Sequence, residues 1–324
     1  MIVTFTPNPS IDSTLTLGGE LLKGAVQRLE SVTAVAGGKG INVAHAVHLA
    51  GVETTAIFPA GRLDPFVPLV QEIGFPIRTV RISTNVRTNT TVTEPDGTTT
   101  KLNGPGAALG REHVEMLEQT LIDALVPDVS WVVLAGSLPP GAPLDWYSRL
   151  TALIHDTRAD VRVAVDTSDA PLQDLGRHLG VPGAAPDLIK PNGLELGQLV
   201  GVDGRDLEDR ARRGDYSPII DSASRLVERG IEQVLITLGE AGAVLVNAEG
   251  AWVSTTPEIT VVSTVGAGDC ALAGFVLARQ KGMDIPEAVL QAVSYGSAAT
   301  SLPGTTIPRP DQITSVGAEV RKVI

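Results

Sequence analysis

Cysteine, aromatic side chains and positive charge are all scarce in this chain, and each shortage excludes something. One cysteine, Cys270, rules out an internal disulfide framework; beginning a helix, it reads as a small packing residue. Aromatics make up only 3% of 324 residues while hydrophobic residues make up 43%, so the apolar mass is Val, Ala, Leu and Ile. That is the composition of a parallel sheet buried under helices. Lys and Arg number 25 against 37 Asp and Glu, a net charge of −12, which argues against a nucleic-acid surface. An anionic substrate would have to be captured by a few local cations. No apolar run reaches the roughly 18–20 residues of a membrane span, and the first residues lack the basic region of a signal peptide. The expectation is a cytoplasmic protein with neither membrane nor nucleic-acid partners. With no repeat, low-complexity tract or linker, residues 1–324 read as a single α/β domain.

What is present concentrates in STVGAGD at residues 263–269, followed by an apolar run that reads as a buried helix. A Gly-Ala-Gly turn opening a helix leaves the first N–H groups unpaired at the positive end of the dipole, which makes an anion site. Asp269 does not fit an anion site, because a carboxylate repels the anion. Its natural task there is to take a proton from an attacking hydroxyl while the amides of Gly266, Ala267 and Gly268 hold charge on a phosphoryl group. Two other readings stand beside this one. Asp269 also suits a first helical turn on dipole grounds alone. Residues 266–271 match G-x-G-x-x-A formally, but so late in the chain and between two helices they do not fit a dinucleotide fold.

Earlier in the chain, residues 2–6 read as the first, central strand, running into TPNPSID at 6–12 and leaving Asp12 near a strand's C-terminal edge. Taken alone, Asp12 is equally a turn residue. GGKGIN at 37–42 places one lysine, Lys39, among glycines at a helix start, again an anion-site pattern. It is not a Walker A loop, having neither the earlier glycine nor a Ser or Thr after the lysine. His45 and His48 read as helix-surface residues. A β-rich stretch at 14–35 and a hairpin around Asp96 and Gly97 suggest a small sheet inserted among the helices, a candidate lid whose outer face is a candidate dimer contact. From residue 111 strands and helices alternate, as in a mostly parallel sheet with helices on both faces. Its strands end in GSLPPG (136–141), DTS (166–168) and KPNGLE (190–195), all on the ligand edge. Asn192 and Glu195 suit Mg²⁺ held mostly through water, and suit a capping box equally well. Residues 201–217, charged and Gly-containing, read as a surface connection.

TPNPSID, GGKGIN, GSLPPG, KPN with Glu195, and STVGAGD occur in this order, and as a set they resemble the ribokinase/PfkB family of sugar kinases over essentially the whole chain. VRTN at 86–89 and DGTTTKLN at 96–103 are similar to its 1-phosphofructokinase branch, which also holds tagatose 6-phosphate kinases and the minor 6-phosphofructokinase. The resemblance implies a ribokinase-like α/β fold with a small β-sheet lid from about 13–35 and 86–103, usually also the homodimer interface. It implies ATP and Mg²⁺, a phosphosugar acceptor (fructose 1-phosphate in the first place), and Asp269 as catalytic base with Gly266, Ala267 and Gly268 as anion hole. Asp12 would hold sugar hydroxyls, and Gly38, Lys39, Asn42 and Arg87 the phosphosugar. Lys190, Asn192 and Glu195 would line the ATP and Mg²⁺ side, with Thr237, Gly239 and Gly242 under the nucleotide together with Gly268. Two positions depart from the pattern: Gly104 stands in place of a Glu, and His45 in place of an Arg.

Overall fold

The computed structural model describes residues 1–324. The first half runs β1 (Ile2–Phe5), β2 (Ser10–Leu17), β3 (Leu29–Gly37), α1 (Lys39–Leu49), β4 (Thr54–Gly61), α2 (Phe66–Ile73), β5 (Ile77–Ile82), β6 (Arg87–Thr93), β7 (Thr99–Asn103), α3 (Arg111–Ile122) and β8 (Trp131–Ala135). The second half runs α4 (Trp146–Thr157), β9 (Arg162–Asp166), α5 (Asp169–His178), β10 (Leu188–Ile189), α6 (Gly193–Val200), α7 (Gly204–Arg212), α8 (Ser217–Val227), β11 (Gln233–Thr237), β12 (Ala243–Asn247), β13 (Gly250–Ser254), α9 (Ala267–Gln280), α10 (Ile285–Thr300) and β14 (Val320–Lys322).

Ten strands form the main sheet in the order β14-β13-β12-β11-β10-β9-β8-β1-β4-β5, parallel from β11 to β5 and antiparallel from β11 to β14. Every residue of β8 is buried, and alternate residues feed opposite cores. Val132 and Leu134 pack with Leu117, Trp146 and Leu150 of α3 and α4. Trp131, Val133 and Ala135 pack on the face covered by α1, α9 and α10. Phe5 meets Trp146 edge to face at 5.4 Å, one of the few aromatic pairs in an otherwise aliphatic core. Burial on both faces is why the strands read as continuous apolar runs.

A second sheet, β3-β2-β6-β7, stands apart from the first. Register separates its faces. Ser10 lies opposite Arg87 and Asp12 opposite Asn89, with Asn89 opposite Asn103, so one face is polar. Leu15 lies opposite Val32 and Val92, which makes the other face apolar.

The α/β architecture agrees with the sequence expectation, with four corrections. β1 is interior but third from the β5 edge, not central. Pairing resumes at Ser10, so Asp12 belongs to β2 of the small sheet and not to a turn at the end of β1. Residues 201–217 contain α7, where Asp203 caps the Arg205 N–H at 2.9 Å and Leu207 and Ala211 are buried. His45 is only partly exposed, with burial and His48 lowering its pKa to about 4, and His48 stacks edge-on against Phe75. α5 and β14 had no counterpart in the sequence reading.

Candidate active site

Parallel strands end on one side, and there the polar motifs collect. Asp166 closes β9, Lys190 follows β10, and Thr237 closes β11, bridged to Asn192. Two helices start over this edge, α1 at Gly38 and α9 at Gly266. Both glycines have positive φ, 117° and 78°, a conformation that a side chain would strain. The first i→i−4 bonds are Asn42 N–H to Gly38 C=O and Cys270 N–H to Gly266 C=O, each 2.9 Å. The N–H groups ahead of them, including those of Lys39 in α1 and of Ala267, Gly268 and Asp269 in α9, are the free donors of a helix start.

A side-chain bond joins the two starts. Asn42 Nδ2 donates to Asp269 Oδ2 at 2.7 Å, and both residues are buried. Burial raises the Asp269 pKa to about 6; Lys39 pulls it down, Asp166 pushes it up, and the Asn42 bond and Lys190 pull it down again. A carboxylate so placed ionises close to neutrality, as suits a general base.

Asp166 escaped the sequence reading as a site residue. Its side chain is wholly buried, Lys39 Nζ donates to its Oδ1 at 2.7 Å, and Lys190 Nζ stands 3.3 Å from its Oδ2 without a well-directed hydrogen bond. Burial opposes the charge on Asp166, but the two lysines outweigh it and hold its pKa below the usual carboxylate range. Burial likewise pulls Lys39 down, and Asp166 and Asp269 outweigh that and hold it above the ordinary lysine range. The same carboxylate thus ties together a cation at the α1 start and one beside Gly268, where an added Cβ would lie 3.2 Å from Lys190 Nζ.

On the polar face of the small sheet, Asp12 Oδ1 accepts from Ser10 Oγ at 2.8 Å and from Asn89 Nδ2 at 3.1 Å. Arg87 donates from Nη1 to the Gly104 carbonyl at 3.1 Å; burial lowers its pKa and Asp12 partly offsets this. This contact is to the backbone, so a Glu at position 104 would keep the carbonyl and add a carboxylate that Gly104 lacks.

Asn192 and Glu195 form the capping box: Asn192 N–H donates to Glu195 Oε2 at 2.9 Å and Glu195 N–H to Asn192 Oδ1 at 2.8 Å. Burial raises the Glu195 pKa. No group of three His, Cys, Asp or Glu side chains is arranged to hold a metal ion. Thr237, Gly239, Gly242, Ala267 and Gly268 line a cavity of about 570 Å³, roofed by residues 256–264 and walled by α10 at Val293 and Gly296. This volume is in the range of small-molecule sites. The structure thus gathers Gly266 to Asp269, Gly38, Lys39, Asn42, Lys190 and Asp166 around one junction. Asp12 and Arg87 lie on the small sheet; of the residues predicted for the nucleotide side, Thr237, Gly239, Gly242 and Gly268 line the cavity, while Lys190, Asn192 and Glu195 do not.

The chain is similar to known proteins over nearly its whole length. The family described as pfkB family carbohydrate kinase matches residues 6–312. A 1-phosphofructokinase from Rhodobacter capsulatus is 33% identical over 98% of this chain and 96% of its own. The ATP-dependent 6-phosphofructokinase isozyme 2 of Escherichia coli is 31% identical over 98% of each chain. A crystal structure of phosphofructokinase-2 from Escherichia coli in complex with substrates and products superposes with a TM-score of 0.84 at 30% identity, covering 96% of both chains.

Proposed function

We propose that this chain, which belongs to the pfkB family of carbohydrate kinases, transfers the γ-phosphoryl group of ATP to the 6-hydroxyl of fructose 1-phosphate. The observation that carries this reading is the buried Asp269 at the α9 start, bonded to Asn42 from the α1 start. Asp269 takes the proton of the sugar hydroxyl as that oxygen bonds to the γ-phosphorus. The bond from phosphorus to the bridging oxygen breaks, and ADP leaves with the electron pair. The N–H groups of Ala267, Gly268 and Asp269 hold the charge on the transferring oxygens without reorganising. Lys39 and Lys190 supply positive charge on either side of the transfer, locked in place by Asp166.

On the sugar side, Asp12 orients hydroxyls while Gly38, Asn42 and Arg87 complete the phosphosugar site; Arg87 supplies a forked donor for the phosphate already on the sugar. On the other side, ATP fills the cavity above Thr237, Gly239 and Gly242. Mg²⁺ would be held through water by Glu195, whose second carboxylate oxygen is uncommitted, and by Asn192. Few protein ligands and several waters suit this cation, which neutralises charge on the phosphates when bound. We further assign β2, β3, β6 and β7 as the lid of a single domain. Val32 and Leu102, exposed on its apolar face, are the surface through which two copies would pair. No helix is long and apolar enough to cross a membrane, and a cytoplasmic location fits this chemistry.

The choice of fructose 1-phosphate rests on relatives from Rhodobacter capsulatus, Xanthomonas campestris and Haloferax volcanii, each named 1-phosphofructokinase, at 33–36% identity. The 6-phosphofructokinase relative supports a second acceptor, fructose 6-phosphate. Tagatose 6-phosphate completes the set to be tested. An ADP-release assay with Mg-ATP and the three sugar phosphates separates these readings. A preference of about tenfold or more in kcat/KM for fructose 1-phosphate, worth about 1.4 kcal/mol, supports the proposal. Preference for a 6-phosphate transfers it to the second reading, and no turnover overturns both.

A further inference from the structure

The floor of the cavity is held from outside by a side chain that does not line it. We infer that Tyr216, at the corner between α7 and α8, is a positioning residue for the nucleotide: its hydroxyl fixes the turn at residues 239–242, and ATP affinity depends on that bond. This rests on the reading of the cavity as the ATP site.

The turn that follows β11 does little to fix itself. It is a single 3₁₀ turn, Gly239–Ala241, without a side-chain cap, and φ is positive at Gly239 (58°) and at Gly242 (86°). Glycine leaves the backbone its widest freedom, so the shape must come from neighbours. Three successive residues are each gripped by a different element. Gly242 abuts the end of β13, where a Cβ would overlap the Ser254 carbonyl. The Glu240 carbonyl accepts from Thr256 Oγ1 of the roof at 3.3 Å, and its carboxylate stands 3.4 Å from Arg212 of α7. The Ala241 carbonyl accepts from the Tyr216 hydroxyl at 2.9 Å. The Arg212 pair is exposed and contributes little. Tyr216 and Ala241 both pack against the core on the α3 and α4 side, so their bond is shielded from water.

Tyr216 is itself firmly placed. Asp215 beside it accepts from Arg210 Nη2 at 2.6 Å and from the Ser217 N–H at 3.2 Å, which closes the corner. Burial raises the Tyr216 pKa against Arg321, so the hydroxyl keeps its proton and donates. The corner is also joined to the element that carries Asn192 and Glu195. α6 and α7 meet through glycines: a Cβ on Gly197 would lie 2.6 Å from the Gly204 nitrogen, and one on Gly204 would lie 2.5 Å from the Leu194 Cα. Backbones in direct contact leave no side chain between them to yield. α6 starts at Asn192 and Glu195, and α7 leads to Tyr216. One rigid unit thus carries both the proposed Mg²⁺ side and the grip on the cavity floor.

The test is calorimetric binding of Mg-ATP, without sugar phosphate, to wild type and to Tyr216→Phe, which keeps the ring and deletes only the donor. Loss of one such hydrogen bond should weaken ATP binding by about three- to tenfold. KM for ATP should rise in step, while KM for the sugar phosphate and kcat at saturating ATP stay within about twofold of wild type. In the variant without ligand, the Leu238 and Gly242 amides, which close the turn on itself, should exchange hydrogen faster than in wild type. His155→Gln, at a contact away from the cavity, controls for stability, and its ATP affinity should equal that of wild type. A lower melting temperature with unchanged ATP affinity would leave Tyr216 a residue of the fold alone and overturn the inference, as would an equal loss of affinity in His155→Gln. If wild type binds ATP but phosphorylates none of the sugar phosphates, the acceptor reading fails while calorimetry still decides Tyr216. If wild type does not bind ATP, the nucleotide reading and this inference fail together.

Discussion

The starts of α1 and α9 are built from the same backbone device and carry opposite charges. Each begins at a glycine with positive φ, and neither has a side-chain cap. α1 opens with Lys39, a cation at the positive end of a helix, where the dipole disfavours it. α9 carries Asp269 in its first turn, where the dipole favours it but burial does not. Neither charge has a side-chain partner on its own helix. Lys39 is held by Asp166 from β9, and Asp269 by Asn42 from α1. α6 is the instructive contrast: Asn192 and Glu195 satisfy each other within one turn, as an ordinary helix start does. A charge sustained from another element, at a start left open, marks chemistry, whereas a charge satisfied locally also serves the fold.

Breaking the α9 half should have the largest effect. Asp269→Asn keeps the shape and removes the base, so kcat should fall by about 10²–10⁴-fold. Calorimetry should find ATP affinity within about twofold of wild type, since nothing in the nucleotide cavity changes. Retained turnover would return Asp269 to a helix-dipole role. Breaking the shared anchor comes next. Asp166→Ala strands two cations beside each other, one of them Lys190 with a side chain only 4% exposed. The loss of stability should be about 3–5 kcal/mol by urea titration. Lys39→Met, with a side chain 31% exposed in wild type, should lose much less stability and lower kcat, because a positive charge beside the transfer is gone.

A pH profile sharpens the same comparison with a smaller effect. In the proposed mechanism Asp269 works deprotonated, and burial pushes its pKa up to about 6, so kcat/KM should fall as pH drops through that value. Lys39 is the foremost charge holding the Asp269 pKa down. Lys39→Met should therefore move the acid limb to higher pH, whereas a limb that stays in place would separate the two helix starts electrostatically.

These couplings explain what the sequence could and could not disclose. The GAGD turn and the Gly-Lys-Gly turn are legible because each is local, a short run whose backbone need is visible in its own residues. The alternation after residue 111 is legible because periodicity is local too. Asp166 was hidden for the opposite reason. DTS reads like any strand-end turn, and the lysine that donates to it lies 127 residues away. Asp12 was placed wrongly because two prolines read as the end of pairing, although the strand resumes at Ser10 in a different sheet. α7 was missed because its nine residues are dominated by charge. Leu207 and Ala211, four apart, are its apolar stripe.

The smallest effect is expected away from both helix starts, at a pair that serves only the fold. His155 of α4 meets Asp187 at 3.1 Å, and the same carboxylate oxygen accepts the Val163 N–H, tying the approach to β10 onto β9 and α4. The Asp187 bond raises the His155 pKa against burial, while burial opposes and His155 and the Val163 N–H lower that of Asp187. A raised histidine stabilises the fold below its unfolded pKa and loses this as pH rises through its folded value. A depressed aspartate contributes above its unfolded pKa and loses this as pH falls. The pair should therefore matter most between about pH 4 and 6.5. His155→Gln preserves size and polarity and removes the charge, so it should cost about 1 kcal/mol at pH 5.5 and clearly less at pH 8.5, by urea titration. Its kcat should equal wild type at both. A cost that does not change with pH would make the contact a neutral hydrogen bond, and a change in kcat would extend the electrostatic network of the two helix starts to the far end of β9.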